Sequence, residues 1–201
     1  MKLELDLGER ISRLNSTEAV RLFKALMTAE AQASSSAAVF SATNKTTAAD
    51  QGIDGRSEFP RGTPRPIPAG KTIWQVKSGK QKVTAAVAKK EVRKKGVLTA
   101  LRNGWSYGFF CTQDHSDSTV ASIRALLEAQ VKAVAPKARV HLFLVPTIEA
   151  LLYRNPTELY NIGVPIRAFT GDAPSLRARE DLDYVSDPPR DLQLAELGNL
   201  F

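Results

Sequence analysis

Between Ser16 and Glu30 the residues Ala19, Leu22, Phe23, Leu26 and Met27 recur at three- and four-residue spacing, which predicts an amphipathic helix with Ser16 as its N-cap. The small, polar stretch that follows carries a short apolar group at Ala38, Val39 and Phe40, read as a short strand running into a loop. Ile53 lies between Gly52 and Gly55, a tight turn leading into a second strand. Four prolines and two glycines within PRGTPRPIPAG then exclude both helix and central strand, leaving an exposed basic loop. KTIWQVKSG alternates with period two: Ile73, Gln75 and Lys77 share one side, Trp74 and Val76 the other.

Val83, Ala86, Val87, Val92, Val97, Leu98 and Leu101 recur among lysines and predict one or two helices broken near Gly96. YGFFCTQ is a compact buried strand, and DSTVASIRALLEAQVKAVA a periodic helix capped by Asp117 or Ser118. RVHLFLVP is another buried strand, and TIEALLYRNP adds a short helix. The order helix, three strands, helix, strand, helix, strand predicts an α/β sandwich, a mixed central sheet flanked by helices. Residues 1–170 are read as one domain. Residues 171–201 are charged and punctuated by proline, and are read as a polar tail or a linker toward a further domain.

Composition narrows the function. Of 201 residues 43% are hydrophobic, enough for one full core, and the single cysteine, Cys111, supports neither a disulfide framework nor a thiolate metal cluster. The first ten residues lack the apolar stretch of a signal peptide, and no window approaches the ~18 apolar residues of a membrane span. A reducing, cytoplasmic setting without membrane attachment is the expectation. The net charge is +7, and between Arg56 and Arg102 thirteen lysines and arginines face only Glu58 and Glu91. Such a segment attracts a polyanion, although a basic run also fits a solvated helix face.

Candidate chemistry sits beside that run. If G-I-D-G (Gly52 to Gly55) and W-Q-V-K-S (Trp74 to Ser78) occupy adjacent strands, Asp54 stands at a strand end while Gln75 and Lys77 project to one face. A hard divalent cation, Mg²⁺ or Mn²⁺, accepts the oxygens that the Asp54 carboxylate, the Gln75 amide and the Val76 backbone carbonyl offer. Lys77 beside it suits the positioning of a water molecule and the charge that builds on a phosphate under attack.

The arrangement resembles the PD-(D/E)XK nuclease superfamily, and within it the Mrr-like branch, in which a G-x-D-G element precedes Q-x-K. The resemblance runs from about Ser16 to Leu152. It implies a restriction-endonuclease-like fold, with Asp54 as metal-binding aspartate, Gln75 at the variable acidic-or-glutamine position and Lys77 as catalytic lysine. It also implies a glutamate from the first helix as catalytic and metal-binding residue: Glu18, with Glu30 as the weaker alternative and Asp50 as a spare oxygen ligand. Gln75 departs from the acid that many members carry, which shifts more of the metal binding onto Glu18. Arg56, Arg61, Arg65, Lys71, Lys80, Lys82, Lys89 and Lys90 would hold DNA phosphates with little sequence preference.

The implied activity is a metal-dependent DNA endonuclease, the effector of a restriction or antiphage system, controlled by homo-oligomerisation or by a fused or partner sensor. Two other readings share the residues: a DNA- or partner-binding module of the same fold without catalysis, and an RNA-processing nuclease. Each residue also has a plainer explanation. Asp54 fits a turn former, Gln75 and Lys77 fit a solvated strand face, and Glu18 fits the preference of a helix's first turn for acids. His115 and His141 are read as structural, Trp74 and Trp105 as core.

Overall fold

The computed structural model describes residues 7–34, 37–42, 52–60, 67–78 and 83–162. Arg61, Arg65, Lys80, Lys82, Asp50 and the boundary expected near residue 170 lie outside them. The elements run α1 (Leu7–Arg13), α2 (Ser16–Ser34), β1 (Val39–Ala42), β2 (Gly55–Phe59), β3 (Gly70–Lys77), α3 (Ala85–Val92), α4 (Lys95–Arg102), β4 (Ser106–Cys111), α5 (Asp117–Val134), β5 (Val140–Phe143), α6 (Val145–Arg154) and a 3-10 helix at Pro156–Ile162. The strands form one sheet in the order β1-β2-β3-β4-β5. β2 runs antiparallel to both β1 and β3, and β3, β4 and β5 are parallel. This is the mixed sheet with flanking helices that the hydrophobic pattern predicts.

Which helices cover which face follows from handedness. The β3-to-β4 and β4-to-β5 links are parallel crossovers advancing in the same direction across the sheet, and such connections are almost always right-handed. Both therefore deliver their helices to one face. There α3, α4 and α5 bury Ala88, Val92, Val97, Leu101, Ile123, Leu127 and Val131 against Ile73, Tyr107 and Phe109. The other face is left to α1, α2 and α6, whose Ile11, Leu22, Phe23, Leu26, Ile148 and Leu152 pack on Trp74, Val76, Phe110 and Phe143.

Aromatic rings order that second layer. Phe23 of α2 lies 5.7 Å from the Trp74 ring and 5.2 Å from Phe110, and Trp74 lies 4.9 Å from Phe143. Trp74 also donates its indole N–H to Ser57 Oγ at 2.7 Å, which satisfies the one polar atom of a buried side chain. The ring lies flat over β4: a Cβ at Gly108 would come within 2.3 Å of it.

Several local readings change. A helix at Leu7–Arg13 precedes the expected first one, with Leu7 and Ile11 buried. Asn15, not Ser16, caps α2, because its side-chain oxygen accepts the Glu18 N–H at 3.0 Å. The helix after β3 divides at Arg93 and Lys94, two residues ahead of Gly96. Ser116 precedes α5 in place of Asp117 or Ser118. β5 ends at Phe143, so Val145 and Pro146 start α6, where the missing proline N–H costs nothing in the first turn. Among the described residues no helix is long and apolar enough to cross a membrane.

The fit of Trp74 over Gly108 leaves no room for a methyl group. Gly108→Ala is expected to destabilise the fold by about 1–3 kcal/mol through overpacking, measured by urea unfolding against the parent.

Candidate active site

The β2–β3 ladder has its last pair at Gly55 and Trp74. One step beyond, the Asp54 N–H still reaches the Trp74 carbonyl at 2.8 Å. The next strand donor, the N–H of Val76, is taken by the Asp54 side chain instead, Oδ2 accepting at 2.7 Å. A carboxylate thus stands in for a backbone carbonyl where the strand has run out. Alternation sets its face: a Cβ on Gly55 would meet Phe23 at 2.8 Å on the α2 side, so Asp54 belongs to the face covered by α3. Gln75 and Lys77 share that face with Ile73. Within a strand the N–H and C=O of one residue leave on the same edge, so the Val76 carbonyl exits toward Asp54.

Gln75 is 2% exposed, and its Oε1 is buried without a hydrogen-bond partner. Such an oxygen is costly to leave unmatched and is the natural seat of a donor or a cation. The cluster lies where the parallel strands β3 and β4 end, the side of an open α/β sheet that characteristically carries ligands. Past that end, buried Gln113 accepts the N–H of Val83 at 2.7 Å and ties the approach to α3 against the site.

The residue that the sequence argument missed is Glu91 of α3. It is 7% exposed, with Oε1 3.0 Å from Lys77 Nζ and Oε2 2.5 Å from Lys94 Nζ. The Lys94 stem in turn lies against Gly52, whose φ of +89° and lack of a Cβ admit it: a Cβ there would fall 2.2 Å from Lys94 Cδ. Asp54's turn, Lys94, Glu91 and Lys77 therefore brace one another in sequence. One signal was available beforehand, since Glu91 is one of only two acids in the basic stretch. Its spacing to the motif, however, says nothing about which side chain it meets.

The electrostatics agree with the contacts. Burial pushes the Glu91 carboxyl up, but the hydrogen bonds and charges of Lys94 and Lys77 outweigh it and hold the group below its ordinary 4.5. Tyr107, fully buried on the same face, is raised well above 10 by burial and by the charges of Glu91 and Asp54. Burial lifts the Cys111 thiol to about 11, so it is an inert core group. Burial, helped by Arg139, lowers His141 to about 4 and leaves it neutral at pH 7.

No family model matches this chain, and no curated protein matches it. Among solved structures it is similar to the MspJI restriction endonuclease in complex with a 27-mer oligonucleotide, at 18% identity and a TM-score of 0.43 over 77% of this chain. The chain spans 31% of that one.

Asp54, Gln75, Lys77 and Val76 are brought together; Glu18 is not. Its carboxylate accepts the Asn15 N–H at 2.8 Å and closes a capping box at the start of α2, on the opposite side of the sheet. Glu30 is buried against α6, accepting from Asn155 Nδ2 at 2.8 Å with Arg154 3.9 Å away. Lys89 and Lys90 ride on α3, Lys90 exposed. Lys71 lies toward the far end of β3, whereas Arg56, paired with Ile73, stands two residues from Asp54; each is 5.9 Å from the centre of the Trp105 ring. Trp105 is half-buried and packs against the core beneath α3, α4 and α5. As a cation site the donor set is lean: one carboxylate, one unmatched amide oxygen and one backbone carbonyl suit a hard ion that retains water. Among the described residues no group of three or more His, Cys, Asp or Glu side chains is placed to hold a metal.

Since the folded-state acidity of Glu91 is depressed, its ion pairs stabilise the fold above the unfolded-state pKa and are lost as pH falls through the folded one. Glu91→Gln is expected to lower stability at pH 7. The gap to the parent should close as the pH drops below about 4.5, read from denaturant midpoints across pH. A gap that stays constant with pH would show that Glu91 is not ionised in the fold.

Proposed function

We propose that this chain is a Mg²⁺- or Mn²⁺-dependent DNA endonuclease of the PD-(D/E)XK, Mrr-like kind, acting as the cleaving module of a restriction or antiphage system. The observation that carries the reading is the Asp54–Val76 hydrogen bond. It sets a carboxylate beside the unmatched Gln75 oxygen, on the face from which Lys77 projects.

Asp54, Gln75 Oε1 and the Val76 carbonyl would hold the cation. When bound, it polarises the phosphate and makes hydroxide accessible at neutral pH. The chain's own residues supply position and charge. Asp54 keeps its orientation because the Val76 N–H holds one of its oxygens. Lys77, braced by Glu91, presents an ammonium to the developing phosphorane and orients the attacking water. Lys89 and Lys90 carry the positive field along α3 and contact phosphates without reading bases.

One observation favours a second reading, a DNA-binding module without catalysis: among the described residues the cluster holds a single carboxylate able to face a cation, since Glu91 is already paired with two lysines. Plasmid degradation by the purified protein, with Mg²⁺ or with EDTA, separates the two. Cleavage should require the metal and fall about 10²–10³-fold in Lys77→Ala and in Asp54→Ala, while DNA retention stays nearly unchanged in Lys77→Ala. An Asp54→Ala protein that cuts as fast as its parent sinks the enzyme reading for this site. Parallel digests of duplex DNA, single strands and RNA decide the substrate, with duplex DNA expected to be cut fastest.

A further inference from the structure

At the opposite end of the sheet from Gln75 and Lys77, the starts of β3 and β4 and the approach to β5 enclose an open cleft of about 580 Å³. Lys71, Lys137 and Arg139 line it, and among the described residues no acidic one does. Arg56 joins them through Trp105, over which it and Lys71 are both held at 5.9 Å. Glu58 offsets little of this charge: it stands 3.8 Å from Lys71, with both side chains about half exposed. Lys137 and Arg139 are distant in sequence from the basic stretch that carries the active-site motif. Only the parallel return of β5 beside β4 brings them to the same rim.

The cations are presented by fixed backbone. The Arg139 N–H donates to Ser106 Oγ at 3.3 Å, and the Arg139 carbonyl accepts from the Tyr107 N–H at 2.9 Å. A turn closed by the Ala138 N–H on the Ala135 carbonyl at 3.0 Å holds Lys137 in place. Gly70 and Gly104 contribute bare backbone to the lining, and at each the position of a Cβ is open space. A bulky anionic chain can approach such a floor closely. Among the described lining residues only Ala69 is apolar, far from the enclosure that selects a small molecule.

We infer that this cleft is a second nucleic-acid contact, binding a stretch of phosphodiester backbone about 20 Å along β3 from Lys77, at roughly 3.3 Å per residue. It rests on the nucleic-acid reading above but not on catalysis. Helices α3, α4 and α5 cover the sheet between the two ends, so the cleft is not an extension of the active-site groove. It grips another part of the same polymer, independently of sequence.

The test uses the full chain with a 30-base-pair duplex in EDTA, and measures affinity across a salt series. Lys137→Glu with Arg139→Glu should reduce the slope of log affinity against log salt by about 2, the count of lost phosphate contacts. Lys137→Gln with Arg139→Gln, which removes the same two contacts, should reduce the slope by about the same amount. Arg21→Glu with Arg124→Glu makes the same change in net charge at exposed positions on α2 and α5, and should leave the slope near that of the parent. An unchanged slope in the cleft variants, or an equal fall in the control, overturns the cleft while leaving DNA binding at the active-site end intact. If the parent itself retains no DNA, the cleft and the nucleic-acid reading fall together. Loss of cleavage in Lys77→Ala bears only on the catalytic reading.

Discussion

Just ahead of β2, where its ladder with β3 stops, β3 still has a backbone N–H to satisfy, and the side chain of Asp54 accepts it in place of the missing strand carbonyl. An unpaired N–H at that depth would cost on the order of 1–3 kcal/mol, so the ladder needs a substitute acceptor. Meeting that need with a carboxylate gives the local structure two consequences at once. The strand end is held in register, and a negative charge is fixed against Gln75 on a largely buried face. Neither consequence depends on a bound ligand; the geometry is built into the sheet.

The two faces of β3 divide the labour. Trp74 and Val76 are spent on packing, with Trp74 wedged between Phe23, Phe143 and the bare backbone of Gly108. That rigid layer holds the strand so that its other face can carry polar groups. There Gln75 is left with an unmatched oxygen and Lys77 is paired with Glu91. The Glu91 carboxylate is shared between two lysines, and the second reaches it only because Gly52 lets the Lys94 stem pass. Removing Glu91 strips both lysines of their partner, whereas removing one lysine leaves the largely buried carboxylate with a single counter-charge.

Charge is arranged at both ends of the sheet, by different routes. At the carboxyl end of β3 it comes from residues close in sequence to the motif, on β3 itself and on α3. At the amino end it comes from strand starts and from the link between α5 and β5, gathered by parallel pairing.

Much of this was legible in the sequence because periodicity is a local property. Period two in KTIWQVKSG placed Gln75 and Lys77 on one side and Trp74 on the other, and the 3.6-residue spacing after Ser16 marked α2. The glycines around Asp54 marked a strand end, and the alternation of elements yielded a mixed sheet. The partners of those residues are another matter. Glu18 and Glu91 look alike in sequence, each an acid on an amphipathic helix, yet one closes a cap and the other reaches Lys77. The choice was made by the right-handed crossovers that place α3 and α5 on one face and leave α2 the other. Lys137, Arg139 and Trp105 carry no motif: parallel pairing of β4 with β3 sets Trp105 beside Lys71, and the return of β5 beside β4 brings Lys137 and Arg139 to the same cleft. Local pattern settles which way a side chain points from its own element; what it points at is settled by the order and handedness with which the elements are stacked.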